Sequence, residues 1–585
     1  MRRIGKLWVY TLIGIWGVPF STFSQGNGDQ EMRVVLFGDS MTEGWGVDST
    51  RSFGSLLETE LKQTGIPVAV LNAGKGPDRS DMAIARMQQD VIVKQPDVVL
   101  IMYGAYDAMV DSGKTKARIP LNVYTKQITQ IISFLKGINV TPILMTAPSM
   151  GMTPAMDREP YKSAGPNFLL THYMEACRKL AKESRIPLVD HFSTWEKLAA
   201  EGKDLSALRL DGFHPNVAGH KQMAESIFPV LKEELSPKFM EVYSKEDVPY
   251  DQYKSPAILT SRSGFLLAFA EGIRNQTGIN SSDIVFKRSF NKGESWTELD
   301  TLVSGGLSFL SDPVAAQEES SGKIYLLYQS RPGFSEGEGD ALEAGVKGDL
   351  IAKVFYLMTE DEGRNWSEPV EITKDVKRPK EVTHISGGPS NGVFISDEKG
   401  PGRMVLPFCQ KANGQWQVFT VYSDNSGKSW KYSDLIAGAE QQQLSEPTLI
   451  QQTGDTLLLS VRSNKEKKRL LATTENGGKT WTPFSEDPNY PTSSTKPTSL
   501  FKFNPYYTLY VGIEEGKDEG IMKLSKDQGK SWKYRQVFYS GKFGEGSFTT
   551  SGPTQAGILF SYGENEGINY ARFPIKWLLV NPIED

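Results

Sequence analysis

Gly38-Asp39-Ser40-Met41-Thr42-Glu43-Gly44 follows Met32-Arg33-Val34-Val35-Leu36-Phe37, an apolar, β-branched run with the length of a buried strand. The Gly-rich turn leads on to the amphipathic segment Phe53–Leu61, so Ser40 is predicted to lie on a strand-to-helix turn. Such a turn lifts a hydroxyl above the edge of a sheet and points backbone N–H groups at whatever binds there. The alternative is an ordinary Gly-Asp-Ser turn, because these residue types are common in turns.

Short apolar runs alternate with amphipathic segments from residue 33 to about residue 235. This alternation predicts a mostly parallel sheet with helices on both faces, and sites in such sheets form at the carboxyl ends of the strands. Ser40 lies at such an end, as do two further segments, Asn72-Ala73-Gly74-Lys75-Gly76 and Gly104-Ala105-Tyr106-Asp107.

A candidate base for Ser40 comes near the end of this region, in Asp211-Gly212-Phe213-His214-Pro215. One imidazole nitrogen of His214 could accept the proton of Ser40 while Asp211 holds the other nitrogen. The alternative is a surface histidine ahead of a helix that Pro215 begins. Because three polar segments follow three predicted strands, we favour the catalytic interpretation.

Length and composition bound the remaining possibilities. The 585 residues predict two to four domains, and 39% hydrophobic with 23% charged residues is typical of globular protein. A net charge of −5 provides no basic field, so nucleic acid is not an expected partner. The sequence does not indicate an oligomeric state.

The N-terminus has the pattern of a secretory signal peptide over residues 1–24. Arg2, Arg3 and Lys6 precede an apolar stretch, Leu7–Phe20, and small residues follow. A membrane anchor would need about 20 apolar residues. We therefore expect cleavage near Ser24, a secreted or periplasmic protein and no membrane span in the mature chain.

Cysteine and histidine are scarce, with two and five residues respectively. Cys177 and Cys409 fall in different predicted domains, so no disulfide framework is expected, and neither a metal site nor a cofactor is predicted. His172, His191 and His220 are interpreted as packing or surface residues.

Residues 30–235 resemble the SGNH (GDSL-type) hydrolase family. Gly38-Asp39-Ser40, Asn72-Ala73-Gly74 and Asp211-Gly212-Phe213-His214-Pro215 match three of its blocks. The resemblance implies an α/β/α three-layer domain with Ser40 as nucleophile, His214 as general base and Asp211 as its partner. It also implies an oxyanion hole from the backbone N–H groups of Ser40 and Gly74.

The third block departs from the family pattern Gly-x-Asn-Asp, in which the Asn side chain completes the oxyanion hole. This chain has Gly104-Ala105-Tyr106-Asp107, so Tyr106 stands in the place of that Asn. Either the phenol of Tyr106 replaces the missing donor, or two backbone donors suffice in a reshaped pocket.

A polar, Pro-marked segment, residues 236–249, is interpreted as a linker, and short alternating strands dominate after it. Five turns of the form Ser/Thr-x-Asp/Asn-x-Gly-x-x-Trp recur there, ending at Trp296, Trp366, Trp430, Trp481 and Trp532. The Asp/Asn side chain caps such a turn, Gly takes a positive φ and Trp packs the hairpin. A repeated β-unit of this period predicts a propeller.

These turns resemble Asp-box (BNR) repeats, and residues 250–580 resemble a six-bladed sialidase-type propeller. Glu446 and Arg462 match sialidase site positions, whereas Lys254 stands where the family has arginine and Gly546 where its tyrosine nucleophile is expected. Lysine cannot bind a carboxylate bidentately. We therefore expect sialidase activity to be unlikely, and take Glu446, Arg462 and Lys254 as a candidate glycan site.

The function expected from the whole sequence is an exported serine esterase that removes O-acyl groups, most simply O-acetyl, from carbohydrate. O-acetylated sialic acid is one candidate substrate, suggested only by fold analogy. Two alternatives stay open. One is a bifunctional esterase and divergent glycosidase, and the other is a non-catalytic glycan-binding protein with an inactive hydrolase half.

Overall fold

The computed structural model describes residues 31–579, except 139, 277, 336–341, 397–401, 439–441, 464, 466–467, 487–498, 515, 553 and 565. The predicted signal peptide lies outside the described residues. No helix in the described ranges is long and apolar enough to cross a membrane.

The first domain is α/β, with five parallel strands in the spatial order β2-β1-β3-β4-β5. The strands are β1 (Met32–Gly38), β2 (Val68–Asn72), β3 (Val98–Met102), β4 (Thr141–Thr146) and β5 (Leu188–Asp190). The helices are α1 (Ser40–Glu43), α2 (Phe53–Gln63), α3 (Ser80–Asp90), α4 (Ala105–Ala108), α5 (Leu121–Gly137), α6 (Tyr161–Ala164), α7 (Leu170–Ser184), α8 (His191–Ala200) and α9 (Val217–Leu235).

The central strands are buried on both faces, as a parallel sheet covered by helices requires. Every residue of β3 is buried, and so is every residue of β1 except Arg33. Each Val, Leu or Ile so placed contributes roughly 1.5–3 kcal/mol relative to exposure. Helix α2 packs closely because Gly54 has no side chain, and a Cβ there would lie 2.6 Å from Leu36 Cδ1. This rigid core fixes the strand ends that carry the polar segments.

The second domain is β-rich, and its strands form four sheets of nine, five, four and seven strands in the described ranges. Most neighbouring strands pair antiparallel, and the α-helix α10 (Thr373–Val376) is short. The strands are β6 (Lys238–Ser244), β7 (Gln252–Thr260), β8 (Leu266–Gln276), β9 (Ile279–Ser289), β10 (Asp300–Val303), β11 (Ser308–Gln317), β12 (Ile324–Pro332), β13 (Phe334–Ser335), β14 (Lys353–Thr359), β15 (Val370–Glu371), β16 (Val382–Gly387), β17 (Val393–Ile395), β18 (Arg403–Ala412), β19 (Gln415–Ser423), β20 (Lys431–Tyr432), β21 (Leu444–Thr453), β22 (Thr456–Ser463), β23 (Lys468–Thr474), β24 (Ser485–Glu486), β25 (Ser499–Lys502), β26 (Thr508–Gly512), β27 (Glu519–Ser525), β28 (Tyr534–Thr550), β29 (Gln555–Tyr562) and β30 (Gly567–Pro574).

The five repeated turns share one set of hydrogen bonds. In the fifth, Ser525 Oγ accepts from Gly529 N at 2.8 Å, and Asp527 Oδ1 accepts from Ser531 N at 2.8 Å. Gly529 has φ 90°, a conformation that favours glycine. The Asp or Asn side chain therefore holds the hairpin closed, which is a structural role.

The segment 236–249 is not a simple linker, which corrects the expectation from its polar composition. It contains β6, which pairs antiparallel with β30 from Lys238–Arg572 to Ser244–Gly567. A strand near the start of the domain therefore completes the sheet made by the last strands, and this pairing across the chain cannot be read from local sequence.

The two domains also meet at the amino edge of the parallel sheet. Lys576, after β30, donates from Nζ to Asp97 Oδ2 at 2.9 Å, and Asp97 directly precedes β3. Ser40 lies at the opposite, carboxyl edge of the same sheet.

Candidate active site

Ser40 is the first residue of α1, directly after β1. Asp39 caps this helix, since its Oδ1 accepts from Met41 N at 2.9 Å. Burial raises the pKa of Asp39 to about 7, with smaller contributions from Asp107 and Asp78. The cap holds the turn in the shape that presents Ser40 Oγ to the pocket.

His214 meets Ser40 from the other end of the domain. Its Nε2 lies 3.0 Å from Ser40 Oγ, and its Nδ1 lies 2.8 Å from Asp211 Oδ2. With the proton on Nδ1, Nε2 is free to accept the serine proton. The three side chains thus form a continuous hydrogen-bonded chain with the geometry of a nucleophile, base and orienting acid.

Asp211 is held by the turn it begins. Its Oδ1 accepts from His214 N at 2.8 Å and from Phe213 N at 3.0 Å, and Gly212 takes φ 84°. Burial opposes ionisation, but these hydrogen bonds together with the contact to His214 lower the pKa of Asp211. The carboxylate is therefore charged at neutral pH and can stabilise an imidazolium.

Tyr106 lies beside the nucleophile, in α4 after β3. Its hydroxyl is 3.1 Å from Ser40 Oγ, and its ring packs edge-on against Phe213 at 5.1 Å between centroids. Burial raises the pKa of Tyr106, so the phenol stays protonated and can donate a hydrogen bond. The preceding Gly104 has φ 118°, where any Cβ would be strained and would lie 2.7 Å from Met174 Cε.

Asp107, the last residue of the same block, has a structural role. It is fully buried and accepts from Ser80 N at 3.1 Å through Oδ1, which also accepts from the Ser80 hydroxyl. Burial raises its pKa to about 6. It therefore ties α4 to the start of α3.

The predicted oxyanion donor Gly74 is already engaged. Its N–H donates to Asn72 Oδ1 at 2.8 Å, and a Cβ at Gly74 would meet Glu43 N at 2.2 Å. The geometry thus gives Gly74 a packing role against α1 and does not favour it as a free donor. Ser40 N, at the first turn of α1, has no acceptor among the described residues.

Gly76 is the glycine that approaches the nucleophile, and it was missed in the sequence. A Cβ there would lie 2.6 Å from Ser40 Cβ. Its N–H donates to Glu43 Oε2 at 2.8 Å. The run Gly74-Lys75-Gly76 contains both residues, but only the packing of α1 distinguishes their roles.

Arg86 ties together the strand ends that surround the site. Its guanidinium donates to Gly38 O at 3.0 Å, to Ala73 O at 2.7 Å and to Tyr103 Oη at 2.9 Å. The same group pairs with Asp78 at 2.6 Å and Asp90 at 3.0 Å. One side chain therefore connects the ends of β1, β2 and β3, a role that no local motif signals.

The remaining histidines of this domain do not serve as bases for Ser40. His191 and His220 are completely buried, and burial lowers the pKa of each to about 4. His220 Nδ1 accepts from Phe53 N at 3.3 Å. His172 is exposed and lies 3.5 Å from Glu175.

A second candidate site is a cavity of about 250 Å³ in the β-rich domain. Three carboxyl side chains line it, from Asp312, Glu446 and Glu545, together with Trp416 and Ser255. Glu446 Oε1 accepts from Arg462 at 2.8 Å, so two of the three sequence-predicted residues meet here. Lys254, the third, directly precedes Ser255 and acts electrostatically on Glu545.

The carboxyl groups of this cavity disfavour one another's ionisation. Burial, with Glu446 and Asp312 as neighbours, raises the pKa of Glu545 to about 7. Burial also raises the pKa of Glu446, although Arg462 and Arg469 oppose it. Glu446 Oε2 is buried and has no hydrogen-bond partner among the described residues. Burial therefore disfavours the charged form of both Glu446 and Glu545.

No three His, Cys, Asp or Glu side chains are grouped to hold a metal ion within the described ranges.

Comparison with known proteins agrees with the division into two domains. Residues 36–222 match the model of the GDSL-like Lipase/Acylhydrolase family, and residues 259–570 match the BNR repeat-like domain.

Individual relatives match part of this chain. A sialidase of Micromonospora viridifaciens is 24% identical over 364 residues, 58% of this chain and 54% of that protein. The isoamyl acetate-hydrolyzing esterase 1 homolog of Mus musculus is 25% identical over 221 residues, 35% of this chain and 83% of that protein. The match thus spans only about half the length of the Micromonospora enzyme.

Among solved structures, the Hadza microbial sialidase Hz136 superposes with a TM-score of 0.52 at 21% identity, covering 58% of this chain and 69% of that one. This likeness identifies a sialidase-like fold for the β-rich domain. The sequence analysis led us to expect that sialidase activity is unlikely. The similarity to sialidases does not support that expectation.

Proposed function

Because the chain belongs to the BNR repeat-like family and carries a GDSL-like lipase/acylhydrolase domain at residues 36–222, we propose that it is a serine esterase acting on acylated carbohydrate. The observation that carries the proposal is the chain of contacts from Ser40 Oγ to His214 Nε2 at 3.0 Å and from His214 Nδ1 to Asp211 Oδ2 at 2.8 Å.

The reaction follows from these contacts. Ser40 Oγ attacks the ester carbonyl while His214 Nε2 takes its proton, and Asp211 stabilises the imidazolium. The carbonyl oxygen becomes an oxyanion, and Ser40 N–H and the Tyr106 hydroxyl are the candidate donors to it. His214 then protonates the leaving alcohol, and a water molecule, activated by His214, releases the acid from Ser40.

The alcohol half of the ester is assigned to carbohydrate because a sialidase-like domain is part of the same chain. Acetyl is the simplest acyl group, and O-acetylated sialic acid is one candidate among acetylated sugars. Export, as the N-terminal sequence suggests, would bring the enzyme to extracellular or periplasmic glycans. These assignments rest on association between domains.

The test compares the wild-type protein with Ser40→Ala on a panel of acetylated monosaccharides, measuring released acetate. We expect the variant to lose at least about 10³-fold in kcat/KM with its thermal unfolding unchanged. Ser55→Ala, whose hydroxyl bonds to Ser49 O on the protein surface, is the matched control. Full activity in Ser40→Ala would refute the assignment. Glycan binding without any wild-type esterase activity would instead support the non-catalytic alternative.

We further propose that the β-rich domain is a six-bladed propeller. In the nine-stranded sheet β9 and β11 are joined by one parallel pair, Ser282–Phe309, and in the seven-stranded sheet β28 pairs with both β27 and β29. Divided at these two points, the four sheets give six antiparallel groups. The first and last groups are joined where Ile258 N donates to Ser547 Oγ at 3.4 Å and Thr260 Oγ1 lies 2.6 Å from Thr549 Oγ1.

A second activity is favoured by the cavity that Glu446 and Glu545 line, and would make the protein bifunctional. The measurement is hydrolysis of a sialoside and of a neutral glycoside by Ser40→Ala protein, in which deacetylation cannot contribute. Cleavage that is lost in the double variant Ser40→Ala/Glu446→Gln would support glycosidase chemistry at the cavity. Binding of the glycan without cleavage would limit the domain to docking.

A further inference from the structure

Trp45 is the only exposed tryptophan in the part of the chain that the structure describes, with 52% of its surface accessible. Exposed large aromatic residues are informative, because tryptophan is highly buried on average. Its backbone position is tied to the nucleophile, since Trp45 N donates to Ser40 O at 3.0 Å directly after Gly44 ends α1 with φ 85°. The backbone of Trp45 is therefore held at the end of α1, the helix that begins with Ser40.

The indole ring also contacts the base. Its centroid lies 4.3 Å from that of the His214 ring, with 37° between the two planes. The next residue, Gly46, packs against Leu210, where a Cβ would come within 2.7 Å of Leu210 Cδ1. These contacts lie on either side of Trp45, while about half of the residue's surface stays open to solvent.

The proton path decides which half of an ester would reach this ring. His214 Nε2 takes the proton of Ser40 Oγ and must return it to the oxygen of the leaving alcohol. The alcohol half of the substrate therefore lies on the His214 side of Ser40, which is the side that Trp45 occupies. Tyr106 also lies close to Ser40 Oγ, but its ring packs against Phe213, whereas the ring of Trp45 contacts His214.

We propose that Trp45 is a specificity-determining residue that binds the sugar ring of the leaving alcohol. A pyranose presents C–H groups on its faces and hydroxyls at its edge, so one face can lie on the indole while the hydroxyls stay in water. Binding sites commonly combine such an apolar wall with a few polar groups. This inference rests on the proposed esterase function and adds the position of its alcohol subsite.

The test measures kcat/KM of wild type and Trp45→Ala on an acetylated methyl pyranoside and on ethyl acetate, which has no ring. A lost aromatic contact of about 1.4 kcal/mol corresponds to tenfold. We expect Trp45→Ala to lower kcat/KM about tenfold for the pyranoside, mainly through KM, and less than twofold for ethyl acetate. Trp45→Phe should recover most of the loss. Tyr506→Ala, a surface aromatic residue with 64% exposure in the β-rich domain, is the control.

Three outcomes would overturn the inference. An equal fall on both esters would mean that Trp45 acts by orienting His214. No change on either ester would mean that the ring does not touch the substrate. When acetate and butyrate esters of the same alcohol are also compared, a loss confined to the butyrate would place the ring at the acyl half. If wild-type protein cleaves neither ester, the proposed function itself fails, so the two failures are distinguishable.

Discussion

The hydroxyl of Tyr106 lies 3.1 Å from Ser40 Oγ, the same oxygen that His214 Nε2 approaches at 3.0 Å. The nucleophile is thus held between a base and a phenol that remains protonated at neutral pH. Once Ser40 Oγ bonds to a substrate carbon, the phenol is left beside the new tetrahedral centre, where it can donate to the oxyanion.

Tyr106→Phe removes this donor and keeps the ring that packs on Phe213. Loss of one oxyanion-hole donor typically costs about 10²–10³ in kcat. We expect a fall of that size in kcat with KM little changed, measured on an acetylated sugar. Tyr506→Phe controls for loss of a tyrosine hydroxyl elsewhere. An increase in kcat would contradict the role and show that the phenol restrains Ser40 in the resting enzyme.

Asp211→Asn tests the orienting role while keeping an oxygen that can accept from His214 N and Phe213 N. The amide cannot stabilise the imidazolium and favours the wrong histidine tautomer. We expect kcat to fall by about 10³–10⁴ with thermal stability close to wild type.

The pH dependence gives a separate check on Asp211. Because its pKa is lowered, the carboxylate is charged throughout the range in which a histidine titrates. The acid limb of the kcat/KM profile should therefore not be set by the ionisation of Asp211. A wild-type acid limb that survives unchanged in the residual activity of Asp211→Asn would show that the pair is not coupled.

Arg86→Lys tests the connection between strand ends. Lysine keeps the charge, but it cannot bond to Gly38 O, Ala73 O and Tyr103 Oη together. We expect a loss of about 2–4 kcal/mol in the free energy of unfolding, measured by urea denaturation monitored in the first domain. Arg79→Lys, a more exposed pair with Asp81, should lose less than about 1 kcal/mol. Equal losses would refute a special role for Arg86.

Glu545→Gln tests the electrostatics of the β-domain cavity. A carboxyl whose pKa is raised from its ordinary value of 4.5 to about 7 in the folded state binds protons more tightly when folded. Its contribution to stability is therefore greatest at acidic pH and is lost as pH rises from about 4.5 through about 7. The free energy of unfolding of the variant minus that of wild type should therefore be larger at pH 8 than at pH 5. The expected difference between the two pH values is up to roughly 3 kcal/mol.

The measurement for Glu545→Gln is chemical denaturation at both pH values, with the exposed Glu319→Gln as control. The same difference between variant and wild type at pH 5 and pH 8 would mean that Glu545 ionises freely in the fold. The glutamine keeps the acceptor that Ser255 N needs, so its hydrogen bond at 2.6 Å is not the quantity tested.

Local sequence predicted the elements whose signals are local. The apolar run at β1, the turn at Ser40 and the spacing of Asp211 and His214 were sufficient to bring the proposed catalytic residues to one strand edge. Gly76, Arg86 and Trp45 were not identified, because their roles depend on which segments pack against them. Gly74 and Gly76 meet different parts of α1 and donate to different acceptors, and no pattern in Asn72–Gly76 contains that information.

β6 decides where this chain can be divided. A fragment that begins at residue 250 would lack the partner of β30 and expose an edge strand, a ready template for aggregation. A fragment that ends at residue 249 would carry β6 after α9 without its pairing partner β30. Expression of either half alone should therefore be planned around a cut between Leu235 and Lys238, which removes no strand from either sheet.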